Sequence, residues 1–356
     1  MTESVENTAP GVDIAPTTGE QPTLAMPTLE MVAARAGVSR ATVSRVVNGS
    51  PKVAEDITTA VRSAIEELNY VPNRAARSLA SRHSQVIALV IPESTAMVFA
   101  DPFFASIVQG VAMYLANTEY TLNMLIAVES KPEKTRRYLM GGNVDGALIV
   151  SHHSGDHSWA HLERSLPVVF AGRPVRPDQD GGSYYVGVDD VAAERNAVEQ
   201  LYRRGRRAIA AIAGPQDMPP GLDRLHGWRQ AVIEAGADGT LFEVGDFTPD
   251  SGADAMRRLL DRGVPIDAVV AANDQMAVGA YVAIRERGLR IPEDIAVVGF
   301  DDNVVGKTAH PPLTTVHQPS VELGTVMTDV LVKLIAGEPV EQVTILPTRL
   351  VERESS

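Results

Sequence analysis

From Val86 onward, short continuous apolar runs alternate with amphipathic stretches, and this alternation limits the possible folds more than any other feature. The runs are VIALVIP (86–92), TLNMLIAV (121–128), DGALIVS (145–151), PVVFAG (167–172), AIAAIAG (208–214), DAVVAAND (267–274) and DIAVVGFDD (294–302). Helix-like segments at 103–116, 190–204, 222–235, 252–262 and 275–287 lie between them. A strand that is apolar on both faces must be covered on both, and helices do this when the strands are parallel. The pattern predicts an α/β fold of doubly wound parallel sheets, in two groups divided near Asp189. A later segment, 317–337, reads as a helix that returns to the first group. The expected body is thus 84–356, with lobe one at about 84–188 and 317–356, and lobe two at about 189–316.

The chain has 356 residues and no cysteine. Disulfides, thiolate metal sites, iron–sulfur clusters and cysteine nucleophiles are therefore excluded, and a reducing compartment is expected. No apolar run approaches the roughly 18 residues of a membrane span. Residues 1–27 lack the basic start and apolar middle of a signal peptide. They are rich in Thr, Pro, Glu and Gly without periodicity, so a disordered acidic tail and a cytoplasmic protein are expected.

Net charge is −13, but it is unevenly distributed. Residues 28–83 carry eight basic and five acidic side chains, a net of +3, against −4 for the tail and −12 for the remainder. A basic head on an acidic body confines any contact with nucleic acid to the head.

Within the head, Leu29, Val32, Ala33 and Ala36 form one apolar helical face, with Thr28 as N-cap and Gly37 as the exit. Ser39 caps a second helix in which Val43 and Val46 or Val47 face inward. Ile57, Val61, Ile65 and Leu68 mark a third, Pro72 breaks the chain, and Asn73 to Ser81 reads as one more short helix. Three helices about a small core, with a glycine turn, make a helix-turn-helix unit over 28–72. Its recognition helix leaves Arg40, Ala41, Thr42, Ser44 and Arg45 outward. An arginine fork matches guanine O6 and N7, and alanine suits a thymine methyl. Thr42 and Ser44 suit phosphate oxygens, and Ser39 at the helix N-terminus offers an anion site. A three-helix bundle with merely solvated charges is the alternative.

Several blocks then occur in a fixed order: TLEMVAARAGVSRATVSRVVNG (28–49), LNYVPNRAARSLAS (68–81), ANDQMAVGA (272–280), VVGFDD (297–302) and PPLTTVHQP (311–319). With them the sequence closely resembles the lac repressor (LacI/GalR) family of transcriptional regulators, from about Thr28 to Arg353. The resemblance implies that the body is a two-lobed sensor like periplasmic binding proteins. It places Arg40, Ala41 and Arg45 at base edges in the major groove. It makes Asn73 to Ser81, within 73–83, a hinge helix, with Ala76 and Leu79 at the minor groove, Leu79 as the wedge, and Asn73 and Arg74 also among the DNA-binding residues. A nine-residue helix is marginal alone, so two of them pairing over DNA fits, and a leucine wedge exchanges unstacking for a bend. Ordinary core burial is the alternative for Leu79.

Ligands of two-lobed parallel-sheet proteins sit at the carboxyl ends of the strands. Arg224, Phe247, Asn273 and Asp301 lie at such ends or at helix starts. A guanidinium and a carboxylate bind vicinal hydroxyls bidentately, and Phe247 supplies a stacking face. The resemblance assigns these four to the effector, with Phe103, Phe104 and Arg173 on the first lobe. A surface salt bridge for Arg224, ordinary core for Phe247 and turn capping for Asp301 and Asp302 are the bland readings. In HHSGDHSWAH (152–161), His152, His153, Asp156 and His157 could gather a metal, but they lie in a glycine-containing loop and no metal is expected.

The sequence thus predicts a ligand-responsive repressor that binds a pseudo-palindromic duplex as a homodimer. Its effector is expected to be a small molecule, a sugar first, with a purine or another metabolite left open. No cofactor or membrane contact is expected. No leucine heptads follow residue 337 to build a tetramer. An exported sugar receptor would carry an export signal and no basic head. An enzyme would need a nucleophile set, a metal set or a phosphate loop, and no G-x-S-x-G, Walker loop or G-x-G-x-x-G after a strand occurs.

Overall fold

The computed structural model describes residues 27–47, 49–71, 83–127, 132–154, 162–175 and 182–356. They fall in two units, Met1–Ala80 and Ser81–Ser356. In the first, α1 (Leu29–Ala36), α2 (Arg40–Val47) and α3 (Glu55–Glu67) surround Val32, Val43, Val61, Ala64 and Tyr70. Thr28 accepts from Met31 N at 3.3 Å and so caps α1. Gly37 ends it at φ 67°, a left-handed conformation that costs glycine no Cβ clash. Val46 and Val47 both pack on the core, as do Ile57, Ile65 and Leu68. Asn73 to Arg82, the expected hinge helix with Arg74, Ala76 and Leu79, lies outside the described residues, as do residues 1–26.

The second unit holds two six-stranded sheets. In chain order lobe one begins with β1 (Val86–Ile91), α4 (Thr95–Ala100), α5 (Pro102–Leu115), β2 (Thr121–Ile126), α6 (Pro132–Tyr138), β3 (Gly146–Ile149), β4 (Val168–Ala171) and β5 (Tyr184–Val188). Lobe two follows with α7 (Asp190–Arg203), β6 (Ile209–Ala213), α8 (Pro219–Glu234), β7 (Phe242–Val244), α9 (Pro249–Asp261), β8 (Ala268–Ala271), α10 (Asp274–Glu286), β9 (Ala296–Asp301), α11 (Val304–Thr308) and β10 (Thr314–His317). The chain then returns through α12 (Ser320–Ala336) and β11 (Val343–Leu346) before crossing once more to β12 (Arg349–Val351). Sheet one has the order β11-β5-β4-β3-β1-β2 and is parallel throughout. Sheet two has the order β12-β10-β9-β8-β6-β7, parallel except for β12 on β10.

All seven predicted runs contain strands. Five further strands (β5, β7, β10, β11 and β12) were not signalled by such runs, because they are short and most are only partly buried. The segment expected to return does so: α12 crosses α5 so closely that a Cβ on Gly110 would lie 2.0 Å from Val321 O, and one on Gly324 would lie 2.4 Å from Ile107 O. One boundary moves. Lobe one was expected to run to residue 356, but β12 pairs with β10, and Ser355 Oγ donates to Val297 O at 2.6 Å and accepts from Thr314 N at 2.8 Å. Residues 349–356 therefore belong to lobe two. The chain thus passes between the lobes three times, after β5, after β10 and between β11 and β12. Among the described residues no helix is long and apolar enough to cross a membrane.

Candidate functional site

The carboxyl ends of both sheets line one cavity of about 610 Å³ between the lobes. Strand β9 ends in Asp301, β8 runs on to Asn273, and β7 runs on to Phe247. Arg224 projects from the second turn of α8. From lobe one come Phe103 and Phe104 on α5, their rings 5.5 Å apart edge to face, and Arg173 beyond β4. The seven residues picked from the sequence thus line a single cavity.

Arg224 is only 6 % exposed and is the centre of the lobe-two wall. Its Nε donates to Asp190 Oδ1 at 2.7 Å, Nη1 to Ala272 O at 2.5 Å and Nη2 to Gln318 Oε1 at 3.2 Å. Asp301 Oδ1 lies 3.8 Å from Nη1, and the guanidinium sits 3.5 Å above the Phe300 ring. It is not a surface salt bridge. Burial raises the pKa of Asp190 and carries that of Asp301 well above the carboxylate range, and the charge of Arg224 opposes both shifts. Glu194, farther along α7, is pushed by burial to about 8.

Asn273 caps α10, its Oδ1 accepting from Met276 N at 2.9 Å, while its Nδ2 donates to Phe247 O at 2.9 Å. The same amide therefore starts a helix and fixes the loop that carries Phe247. Phe247 and Asp301 both hold positive φ, 69° and 110°, which is uncommon for residues with a Cβ and typical of constrained sites. Phe247 is half-buried beside Gly214, where a Cβ would strike its ring at 2.5 Å. Asp302 caps nothing: it pairs with His317 at 3.0 Å and with Arg353, while Asn303 caps α11.

Sequence reasoning missed several groups. Asp190 and Gln318 hold Arg224. Asp101 caps α5 by accepting from Phe103 N at 2.9 Å, and burial raises its pKa. Glu93, His153, Asp217 and Asp223 stand at the rim. The Asp-Pro step before α5 is an N-cap signal that was available. The others meet their partners only in the tertiary fold, within a lobe for Asp190 with Arg224 and between lobes for His153 with Asp217 and Arg173 with Asp223. His157 and Asp156 lie outside the described residues. His152 Nε2 is 3.1 Å from Arg173 O, and His153 contacts two carboxylates.

In the head, Ser39, Arg40, Ala41 and Arg45 are exposed, as expected of a reading surface. Thr42 and Ser44 are half-buried instead of fully outward. Thr42 turns back to Ser39, with the two hydroxyls 2.9 Å apart and Thr42 N donating to Ser39 Oγ at 3.2 Å, because the first helical turn needs its cap. Arg40 pairs with Glu30 at 3.1 Å, while the Arg45 guanidinium has no partner among the described residues.

Comparison with known proteins adds an independent line. The family "Bacterial regulatory proteins, lacI family" matches residues 28–73, and a periplasmic binding protein-like domain matches 198–356. The HTH-type transcriptional regulator CelR of Thermobifida fusca is 46% identical over 334 residues, covering 92% of this chain and 98% of its own. A solved CelR–cellobiose complex shares 44% identity at a TM-score of 0.73, covering 93% and 100% of the two chains. The lac repressor dimer bound to operator and an anti-inducer shares 30% identity at a TM-score of 0.81, covering 93% and 99%.

Proposed function

The chain belongs to the lacI family of bacterial regulatory proteins, DNA-binding transcriptional regulators and not enzymes, and from that premise we propose that it is a homodimeric repressor controlled by an uncharged sugar of two linked rings. The observation that carries the ligand class is the charge balance of the cleft. Seven acidic side chains line it against three basic ones, Arg173, Arg224 and His153, and all three are engaged by acidic partners. A phosphorylated sugar would find no spare cation and would meet a negative field. A neutral polyol finds alternating donors and acceptors for vicinal hydroxyls, with Phe103 and Phe247 as apolar faces. The cavity of about 610 Å³ lies within the roughly 300–1,000 Å³ of small-molecule sites. It has room for more than one pyranose, in keeping with the cellobiose named in the CelR complex.

On the DNA side, Arg40 and Arg45 read base edges with Ala41 beside them, while Ser39, Thr42 and Ser44 meet phosphate or sugar. Asn73, Arg74, Ala76 and Leu79 act at the operator centre. Lobe closure about the three crossings changes how two first lobes pack in the dimer, and hence the spacing of the paired 73–83 segments. Such coupling is usually about 1–3 kcal/mol.

The test is a titration of the full chain onto a fluorescent duplex that the chain itself selects from a random pool, with cellobiose, glucose or glucose 6-phosphate present. Cellobiose is expected to move the midpoint by about 5–150-fold, and glucose 6-phosphate to leave it unchanged. If the phosphate is the stronger effector, or no duplex is selected, the proposal fails.

A further inference from the structure

The loop after β3 places two histidines side by side with opposite surroundings. His152 is buried against Phe170, ring centroids 5.3 Å apart, and its Nδ1 has no hydrogen-bond partner among the described residues. His153 stands at the cleft rim between two carboxylates. Its Nε2 is 3.0 Å from Glu93 Oε1 on the same lobe, and its Nδ1 is 2.8 Å from Asp217 Oδ2 on the other. A neutral imidazole has one N–H and one bare lone pair, and only the charged ring donates from both nitrogens. A lone pair facing a carboxylate oxygen at either distance would be repelled. With both carboxyls ionised, the geometry fits an imidazolium with one lobe at each nitrogen and neither neutral tautomer.

Neighbouring contacts support the same junction. Ser151 Oγ donates to Glu93 Oε1 at 2.6 Å, fixing that carboxylate. Ser154 N donates to Asp217 O at 2.8 Å, a second tie from the same loop to lobe two. Arg173 crosses the same gap and grips Asp223 with two bonds of 2.7 Å. None of these contacts contributes to the core of either lobe.

We propose that His153 is a positioning residue for the effector: bridging Glu93 and Asp217, it clasps the two lobes and sets how firmly the cleft closes on a sugar. This inference rests on the sugar-binding reading of the cleft. Among the described residues, the groups facing the ring are Glu93, Asp217 and the adjacent His152. The bond to Glu93, helped by Asp217 and opposed by burial, raises the pKa of His153 to about 9. Burial lowers that of His152 to about 4, so the neighbour stays neutral and does not repel the clasp. The folded value of His153 lies above the ordinary 6.5 or so. Its contribution is therefore complete below that pH and disappears as pH rises through about 9.

The experiment uses the full chain, cellobiose as probe, and the variants His153→Gln, Asp217→Asn and the double. Calorimetry is expected to show each single variant binding cellobiose about tenfold more weakly, the scale of one charge-assisted bond, and the double no weaker than either. Raising pH from 7 to 10 should weaken wild-type binding and change the double variant little. A second readout needs no sugar. Imidazole ¹⁵N spectra should show a doubly protonated ring at pH 8 that is missing in His153→Gln and titrates lower in Asp217→Asn. If no ring stays charged at pH 8, or if the single losses add in the double, or if the singles bind as wild type does, the clasp is wrong. If wild type binds no sugar while the spectra behave as stated, the sugar reading fails and the inter-lobe bridge stands.

Discussion

The proposed reading head and the proposed effector cleft each present an arginine, and the two are held in opposite ways. Arg45 stands exposed on α2 with no partner among the described residues. Arg224 is buried between Asp190 and Asp301, and Ala272 O and Gln318 Oε1 each accept one more of its N–H groups. On the proposed roles, a side chain that is to meet a highly charged polymer keeps its water until the polymer arrives. One that will meet a neutral ligand is desolvated in advance, and only a nearly complete shell of partners makes that tolerable. Residues of the first kind affect binding and little else. Residues of the second kind affect folding as well, and variants can separate the two.

The largest effect should come from Arg224→Ala. Removing it leaves two buried carboxylates without their counter-charge, which costs about 3–5 kcal/mol in comparable pairs. Urea unfolding of the variant should show a loss of that order, and cellobiose should no longer move the operator midpoint, while binding to the duplex itself persists. The loss should also depend on pH. Without the guanidinium, burial and the neighbouring acidic groups act unopposed on Asp190 and Asp301 and raise both pKa values further. Carboxylates that bind protons more tightly folded than unfolded stabilise the fold as pH falls through the folded value. The deficit should be smaller at pH 5 than at pH 8. An equal deficit at both would mean that Arg224 acts by packing on Phe300.

Arg45→Ala tests the other side of the comparison. The expected loss is about 1–3 kcal/mol of discrimination at one base pair, with an unchanged unfolding midpoint and unchanged sugar affinity. The salt dependence of specific binding should barely change, because a base contact releases few counterions. A marked fall in thermal stability would place Arg45 in the fold, and the comparison would lose one of its terms.

The same contrast governs what could be read from the sequence. Helices α1 to α3 follow from the spacing of Val32, Val43, Val61 and Ile65, since a small core leaves its periodicity plain. The interior strands follow from unbroken runs such as Ile87 to Ile91, all fully buried. Strand β7, whose residues are half-buried or exposed, and strand β11, where only Leu346 is buried, lack that signal because an edge strand needs apolar cover on fewer sides. In the cleft, Arg224, Phe247, Asn273 and Asp301 were legible as polar or aromatic residues at strand ends or helix starts. Asp190, Gln318, Glu93 and Asp217 were not. Gln318, Glu93 and Asp217 are three of many polar loop residues and Asp190 is one of many acidic residues in a first helical turn, and nothing local marks which of them meets a partner from far along the chain. The two histidines show this most sharply: adjacent in sequence, they differ only in what the fold puts beside them.

The smallest expected effect concerns Glu30, which lies 3.1 Å from Arg40 with both side chains mostly exposed, 58 % and 73 %. Its pKa is lowered first by the backbone N–H at the start of α1, then by Thr28, with Arg40 the least of the causes. The carboxylate is therefore held by the helix N-terminus and would sit there without Arg40. Exposed pairs of this kind are weak and easily exchanged. Glu30→Gln frees Arg40 and removes a negative charge from a surface that must meet phosphate, so both consequences favour binding. Affinity for selected and for random duplex should rise together, by no more than about fivefold in dilute buffer, and the gain should fade near 0.15 M salt, where the screening length is about 8 Å. If selected duplex instead binds more weakly while random duplex gains, Glu30 is orienting Arg40 toward a base edge. The exposed arginines of the head would then be pre-set in the manner of Arg224, and the contrast between the two regions would be one of degree.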